Sequence, residues 1–302
     1  VPIDYPRLPP WWLIEEQYGA EPRILGLDRC RHFQSLNQHR PDEINIAPAG
    51  LFNSGTNFLY QLLQENCNFQ GRPPSAYHGR AFQPPWGKHT PREYREIHRI
   101  DHPLYMNMKL EAILPIVLIR HPYDWLKSVC NQPYAVHWRD RDENRSDFVC
   151  PWIVHEDNQT QEVIVTYGSG LQRYESVAHL WNRWYRGYFD SMAFPRIMIR
   201  MEDLIFYPHK VIPKICHCAG ATLSHGEAIK VPLESAKHDA TGHQLKYSTT
   251  YLQAVIKYGN LRTWERFPLR DRVAARGILD NEMMEAFGYQ HPIIKNPLKK
   301  DN

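Results

Sequence analysis

The feature that most constrains this chain is the apolar run Ala112–Ile119, which stops abruptly at Arg120-His121-Pro122. It is far shorter than the roughly 20 apolar residues needed to cross a bilayer, and it has no polar face. Such a run reads as a strand buried on both sides, which a parallel sheet covered by helices provides. The proline at 122 suits the first position of a helix, so strand gives way to helix at the arginine. The same order recurs. Ile44–Ala47 reads as a short buried strand, Gly50–Gly55 as a loop, and Thr56–Glu65 as a helix with its stripe at Phe58, Leu59, Leu62 and Leu63. Further on, Ser176–Met192 reads as a helix with Val177, Leu180, Trp181, Trp184 and Tyr188 on one side. Arg196–Met201 reads as a strand, Pro208–Ala219 as a helix ending at Gly220, and Leu269–Phe287 as a last helix closed by Gly288. Strands alternating with helices predict the α/β class: a parallel β-sheet flanked by helices on both faces, in a single domain.

No Ser/Gly-rich linker or internal repeat divides the 302 residues. Residues 1–40, rich in Pro, Arg and aromatics without a period, read as an extended arm or stem remnant with at most one short helix. Residues 41–302 read as the domain proper. Arg139–Thr166 is polar and reads as an exposed excursion. The chain begins at Val1, so a signal or membrane anchor upstream is an expectation. Lys and Arg total 36 against 33 Asp and Glu, a balance that excludes a nucleic-acid binder defined by bulk charge but permits a local basic pocket for an anionic ligand.

The six cysteines are too few for a disulfide scaffold at this length. Cys130 and Cys150 bracket a polar segment and are either bridged or free thiols. Cys216 and Cys218, two apart in a helical pattern, point different ways, which argues against a metal site there. Two sequons, at Asn144 and Asn158, are weak pointers to a secretory route.

Two elements carry chemistry. Gly50-x-x-x-x-Gly55-Thr56 follows a strand and opens a helix, a loop that aims backbone N–H groups and the helix dipole at a phosphate. An ATP or GTP site would place lysine directly after the second glycine, where this chain has Thr56. Arg120, at the end of the strongest strand, and Ser128, in the helix that follows, could converge on a second phosphate, the one as a charged fork and the other as a short donor.

Together these segments resemble the P-loop-containing sulfotransferase superfamily, whose donor is 3′-phosphoadenosine 5′-phosphosulfate. Its first signature, approximately P-K-S-G-T-T-x-L, is matched by Phe52-Asn53-Ser54-Gly55-Thr56-Asn57-Phe58-Leu59. Its second, approximately R-N-P-x-D-x-x-x-S, is matched by Arg120-His121-Pro122-Tyr123-Asp124-Trp125-Leu126-Lys127-Ser128. Met201-Glu202-Asp203-Leu204 is similar to Y-E-D-L, and Lys257-Tyr258-Gly259-Asn260-Leu261-Arg262-Thr263-Trp264 to the late R-K-G-x-x-G-D-W segment. The four stand in the family's order over residues 44 to 290.

The resemblance implies that Asn53, Ser54, Gly55, Thr56 and Asn57 hold the 5′-phosphosulfate, that Arg120 and Ser128 hold the 3′-phosphate, and that Lys257 and Arg262 add cationic contacts. Asn53 stands where the family places the lysine that assists the leaving group, and asparagine brings no charge. Lys88 is the candidate replacement. In the interval where family members carry a basic K-T-H-like segment, Trp86-Gly87-Lys88-His89-Thr90-Pro91 offers His89 as general base, with His98, His102 and Glu111 as competitors. Trp86, Tyr134, His137 and Trp138 could line an acceptor pocket for a carbohydrate, the first expectation, or a small molecule. The Trp181/Trp184 stripe reads as core. No metal is required for in-line sulfuryl transfer to a hydroxyl or amine. A P-loop kinase and a non-catalytic nucleotide-binding relative are the competing readings, and the Golgi lumen is favoured slightly over the cytoplasm.

Overall fold

The computed structural model describes residues 8–69, 83–138, 153, 160–168, 170–233, 250–259 and 267–294. In chain order the elements are α1 (Trp11–Tyr18), β1 (Ile24–Leu25), α2 (Cys30–Asn37), β2 (Asn45–Ala49), α3 (Thr56–Asn66), β3 (Cys67–Asn68), α4 (Pro103–Met106), β4 (Ile113–Ile119) and α5 (Pro122–Asn131). These are followed by β5 (Val136–Trp138), β6 (Val163–Tyr167), β7 (Gly170–Tyr174), α6 (Val177–Phe189), β8 (Ile197–Arg200), α7 (Met201–Phe206) and α8 (Pro208–Cys218). The last are β9 (Thr222–Leu223), α9 (Tyr251–Tyr258), α10 (Leu269–Ile278) and α11 (Asn281–Ala286). Where the sequence reads as one domain, the chain forms two compact units: Val1–Arg120 with Gly187–Asn260, and His121–Arg186 with Leu261–Asn302. Both units are discontinuous in sequence, so no linker composition marks their boundary.

The first unit holds a mostly parallel four-stranded sheet in the order β1-β8-β4-β2. β4 pairs in parallel with β2, Ala47 opposite Pro115, and with β8, Val117 opposite Met198; β1 joins the far edge antiparallel. All seven residues of β4 are buried, as its unbroken apolar run requires. Leu114, Ile116 and Leu118 pack with Phe58, Leu59, Leu62 and Leu63 of α3 and with Ile212 and Ile215 of α8 in one hydrophobic cluster. Val117 and Ile119 point the other way and are equally buried. Pro48 is accommodated because β2 is an edge strand.

The segment read as an arm is folded into this unit. Ile14, Tyr18 and Phe33 belong to the cluster, and β1 is part of the sheet. A disulfide from Cys30 to Cys218 fastens it further, and a second joins Cys67 to Cys216. Both partners in α8 come from the Cys216-His217-Cys218 triplet, two bridges that the sequence reading did not name. Cys130 is disulfide-bonded as well; Cys150, its expected partner, lies outside the described residues, as do Asn144 and Asn158.

The second unit carries the antiparallel sheet β5-β6-β7, with Val136 opposite Val165 and Val163 opposite Tyr174. β6 comes from the stretch read as an exposed excursion, and Val163, Val165 and Tyr167 are buried. The last helix is two helices. Leu279 turns extended at ψ 138° and the Asp280 carboxylate caps α11 by accepting from the Met283 N–H, a break that the apolar periodicity conceals. Trp181 and Trp184 are core, as expected. Among the described residues, no helix is long and apolar enough to cross a membrane.

Candidate functional site

The carboxyl ends of β2, β4 and β8 lie side by side, the edge at which open parallel sheets bind ligands. Beyond β2 the chain enters the loop Gly50–Gly55. Gly50 is required by space: a Cβ there would collide with the Ser54 hydroxyl and approach the Leu118 carbonyl oxygen of β4 to 2.8 Å. Asn53 has a left-handed backbone, φ 62°, and Gly55 follows at φ 90°. Asparagine enters that region more readily than most side chains, which gives a conformational reason for an asparagine at position 53. Gly55 is the N-cap of α3, and the first helical bond runs from Leu59 N–H to Gly55 O. The N–H groups of Thr56, Asn57 and Phe58 stand ahead of that bond, where a helix has no internal acceptors for them.

Ser54 departs from its expected role. Its hydroxyl donates to Leu51 O at 2.7 Å, its N–H donates to the same oxygen at 3.2 Å, and it is fully buried. Both of its donors are spent shaping the loop, so Ser54 holds the cradle together rather than facing a ligand. Thr56 is likewise buried, while Asn53, Gly55 and Asn57 are partly exposed.

The segment Trp86–Thr90 is tied to this loop through Gly50. Gly50 N–H donates to Lys88 O at 2.8 Å, and His89 Nδ1 lies 2.7 Å from Gly50 O. A carbonyl can only accept, so Nδ1 carries the proton and neutral His89 bears its basic lone pair on Nε2. The His89 ring also packs on Phe52, centroids 4.6 Å apart. Lys88 donates from Nζ to Asn57 Oδ1 at 2.8 Å, placing an ammonium beside the first turn of α3.

At the neighbouring tip, Arg120 is 3% exposed and donates from Nη1 to Asn53 O at 2.8 Å. Its guanidinium lies 5.2 Å from the Tyr258 ring centroid, and Lys257 Nζ lies 5.2 Å from the same ring. Asn53, Arg120, Lys257, Lys88 and His89 are thus gathered around one loop, all in the first unit. Ser128 lies on α5 in the second unit, and Arg262 is outside the described residues. Met201, of the Met201-Glu202-Asp203-Leu204 segment, approaches Gly55 so closely that a Cβ there would meet its sulfur at 3.1 Å. Behind it, Asp203 is buried and accepts from Arg200 Nε at 2.7 Å and from the Arg23 N–H at 2.9 Å. Burial pushes its carboxyl up in pKa, against the pull of Arg200.

Of the expected acceptor platform, Trp86 lies in the first unit and Tyr134, His137 and Trp138 in the second. Trp86 is fully buried and donates from Nε1 to Tyr188 Oη at 2.9 Å, so it belongs to the core. On β5, His137 is exposed and Trp138 buried, because adjacent strand residues face opposite ways. Tyr134 is 51% exposed at a positive φ. Of the competing bases, His102 accepts the Leu104 N–H to cap α4, and His98 packs edge-on against Tyr94. Glu111 precedes β4, at the opposite end of that strand from Arg120 and about 20 Å away along it. Among the described residues no group of three His, Cys, Asp or Glu side chains is placed to hold a metal ion. Sequence reasoning missed Tyr258, whose ring both cations share; its only signal was adjacency to Lys257. No protein-family model, curated protein or solved structure matches the chain.

Proposed function

We propose that the chain is a sulfotransferase of the P-loop type, transferring a sulfuryl group from 3′-phosphoadenosine 5′-phosphosulfate to a hydroxyl or amine of a carbohydrate or small molecule. The observation that carries this reading is the double tie at Gly50, which brings a histidine of defined tautomer and a lysine to the rim of an N–H-lined loop. In this reading the backbone N–H groups of Thr56 and Asn57 receive the 5′-phosphosulfate. Arg120, with Lys257 at the same Tyr258 ring, faces the 3′-phosphate; Ser128 and Arg262 join them on the strength of the resemblance alone. His89 Nε2 takes the acceptor proton as the acceptor oxygen or nitrogen bonds to sulfur. The bridging S–O bond breaks, its electron pair stays on the phosphate oxygen, and Lys88 offsets the charge that develops there. The disulfides favour an oxidising compartment such as the Golgi lumen over the cytoplasm.

Calorimetry with adenosine 3′,5′-bisphosphate and adenosine 5′-phosphate tests the site. The bisphosphate is expected to bind at least tenfold tighter, and Arg120→Ala to erase most of that preference; equal wild-type affinities would refute the assignment. Transfer of labelled sulfate to a carbohydrate panel separates an enzyme from a relative that only binds the nucleotide.

A further inference from the structure

We propose that α1 is a positioning element of the donor site, with Tyr18 and Gln17 fixing the end of α9 that presents Lys257 and Tyr258; this rests on the donor reading above. A helix leaves its last carbonyls without internal partners. In α9 these groups are met from a segment some 240 residues away. Tyr18 Oη donates to Tyr258 O at 2.7 Å in a buried bond, and Gln17 Nε2 donates to Gly259 O at 3.3 Å. Pro9 lies so close to Gly259 that no Cβ could be added there.

The capping segment is itself held firmly. Tyr18 O accepts from Arg200 Nη2 at 2.7 Å, and Arg200 is locked by Asp203. The Tyr18 ring stacks on Phe206 with centroids 5.4 Å apart, and Tyr207 Oη donates to Gly19 O at 2.6 Å. Two consecutive main-chain groups of α9 are thus referenced to the core through α1, directly beside the ring that Arg120 and Lys257 share. The loop Gly50–Gly55 has ties of its own to Lys88 and His89. Loss of the cap therefore disturbs the cationic end of the site much more than the N–H cradle.

The test is calorimetry on Tyr18→Phe, which deletes one hydroxyl and keeps the ring, and on Gln17→Ala, whose bond is peripheral to the core. Tyr18→Phe is expected to weaken adenosine 3′,5′-bisphosphate about fivefold, in line with one buried hydrogen bond, and adenosine 5′-phosphate less than twofold. Gln17→Ala is expected to show the same selectivity at about twofold. Equal losses for both nucleotides, or none in either variant, would overturn the inference and leave α1 a purely structural element. A wild-type protein that binds neither nucleotide would instead sink the donor reading, and this inference with it.

Discussion

Replacing Gly50 by alanine probes the point where β2, β4 and the His89 segment meet. The added methyl meets the Ser54 hydroxyl and, at 2.8 Å, the Leu118 carbonyl oxygen; the Thr56 methyl follows at 3.2 Å. The hydroxyl can swing away only by giving up its bond to Leu51 O, about 1 kcal/mol. The strand carbonyl cannot swing, so the backbone must shift, at the roughly 1–3 kcal/mol typical of overpacking. The sum, about 2–4 kcal/mol, corresponds to a melting temperature lower by roughly 4–8 °C. The shift also moves the Gly50–Gly55 backbone and with it the N–H groups that open α3, so affinity for adenosine 3′,5′-bisphosphate should fall at least tenfold. Gly277→Ala is the matched control. It sits within α10, where a Cβ meets nothing within 4 Å, so alanine should stabilise by about 0.5–1 kcal/mol. Differential scanning calorimetry and nucleotide titration read both variants. A Gly50→Ala protein with wild-type melting and affinity would show that the crowding argument is wrong.

His89→Ala should lower sulfate transfer by about 10²–10⁴-fold while bisphosphate affinity stays within twofold; retained turnover would place the base elsewhere. Replacing Cys67 and Cys216 together by serine opens a bridge spanning 149 residues and should cost about 2–5 kcal/mol in guanidinium unfolding. Unchanged unfolding would mean the bridge adds no stability. His291, whose Nδ1 lies 2.9 Å from Tyr123 Oη, has a pKa lowered below the usual 6.5 by burial and then by Arg276. Its contribution is present above pH 6.5 and is lost as pH falls through the lower folded value. The stability gap between wild type and His291→Gln should therefore narrow between pH 7 and 5; a constant gap would contradict the linkage.

The central strands and the Gly50–Gly55 loop were legible because local pattern determines them: an unbroken apolar run has to be covered, and a Gly-bounded turn between strand and helix has few conformations. What escaped the sequence was long-range. The N-terminal segment lacks a period because its elements are short and are held by side chains far along the chain, such as Arg200, Tyr207 and Cys218. The cysteine pairings span 188 and 149 residues, and no spacing rule foretells them. The divergence of Cys216 and Cys218 that argues against a metal is also what lets each reach a different partner. Trp86 misled because an aromatic beside a basic pair reads the same whether it lines a pocket or fills a core; its bond to Tyr188 decides. Asn53 stands out in sequence as a missing charge, but its left-handed backbone gives it a conformational rationale.

The twin bridges on α8 also set what can move. α3 is joined covalently to α8 immediately past its last turn, and α2 is joined at its first residue. Neither helix can slide along its axis. Within the first unit, adjustment around the Gly50–Gly55 loop is thereby left to short-range shifts of its backbone and of long side chains such as Lys88, above a floor that stays still.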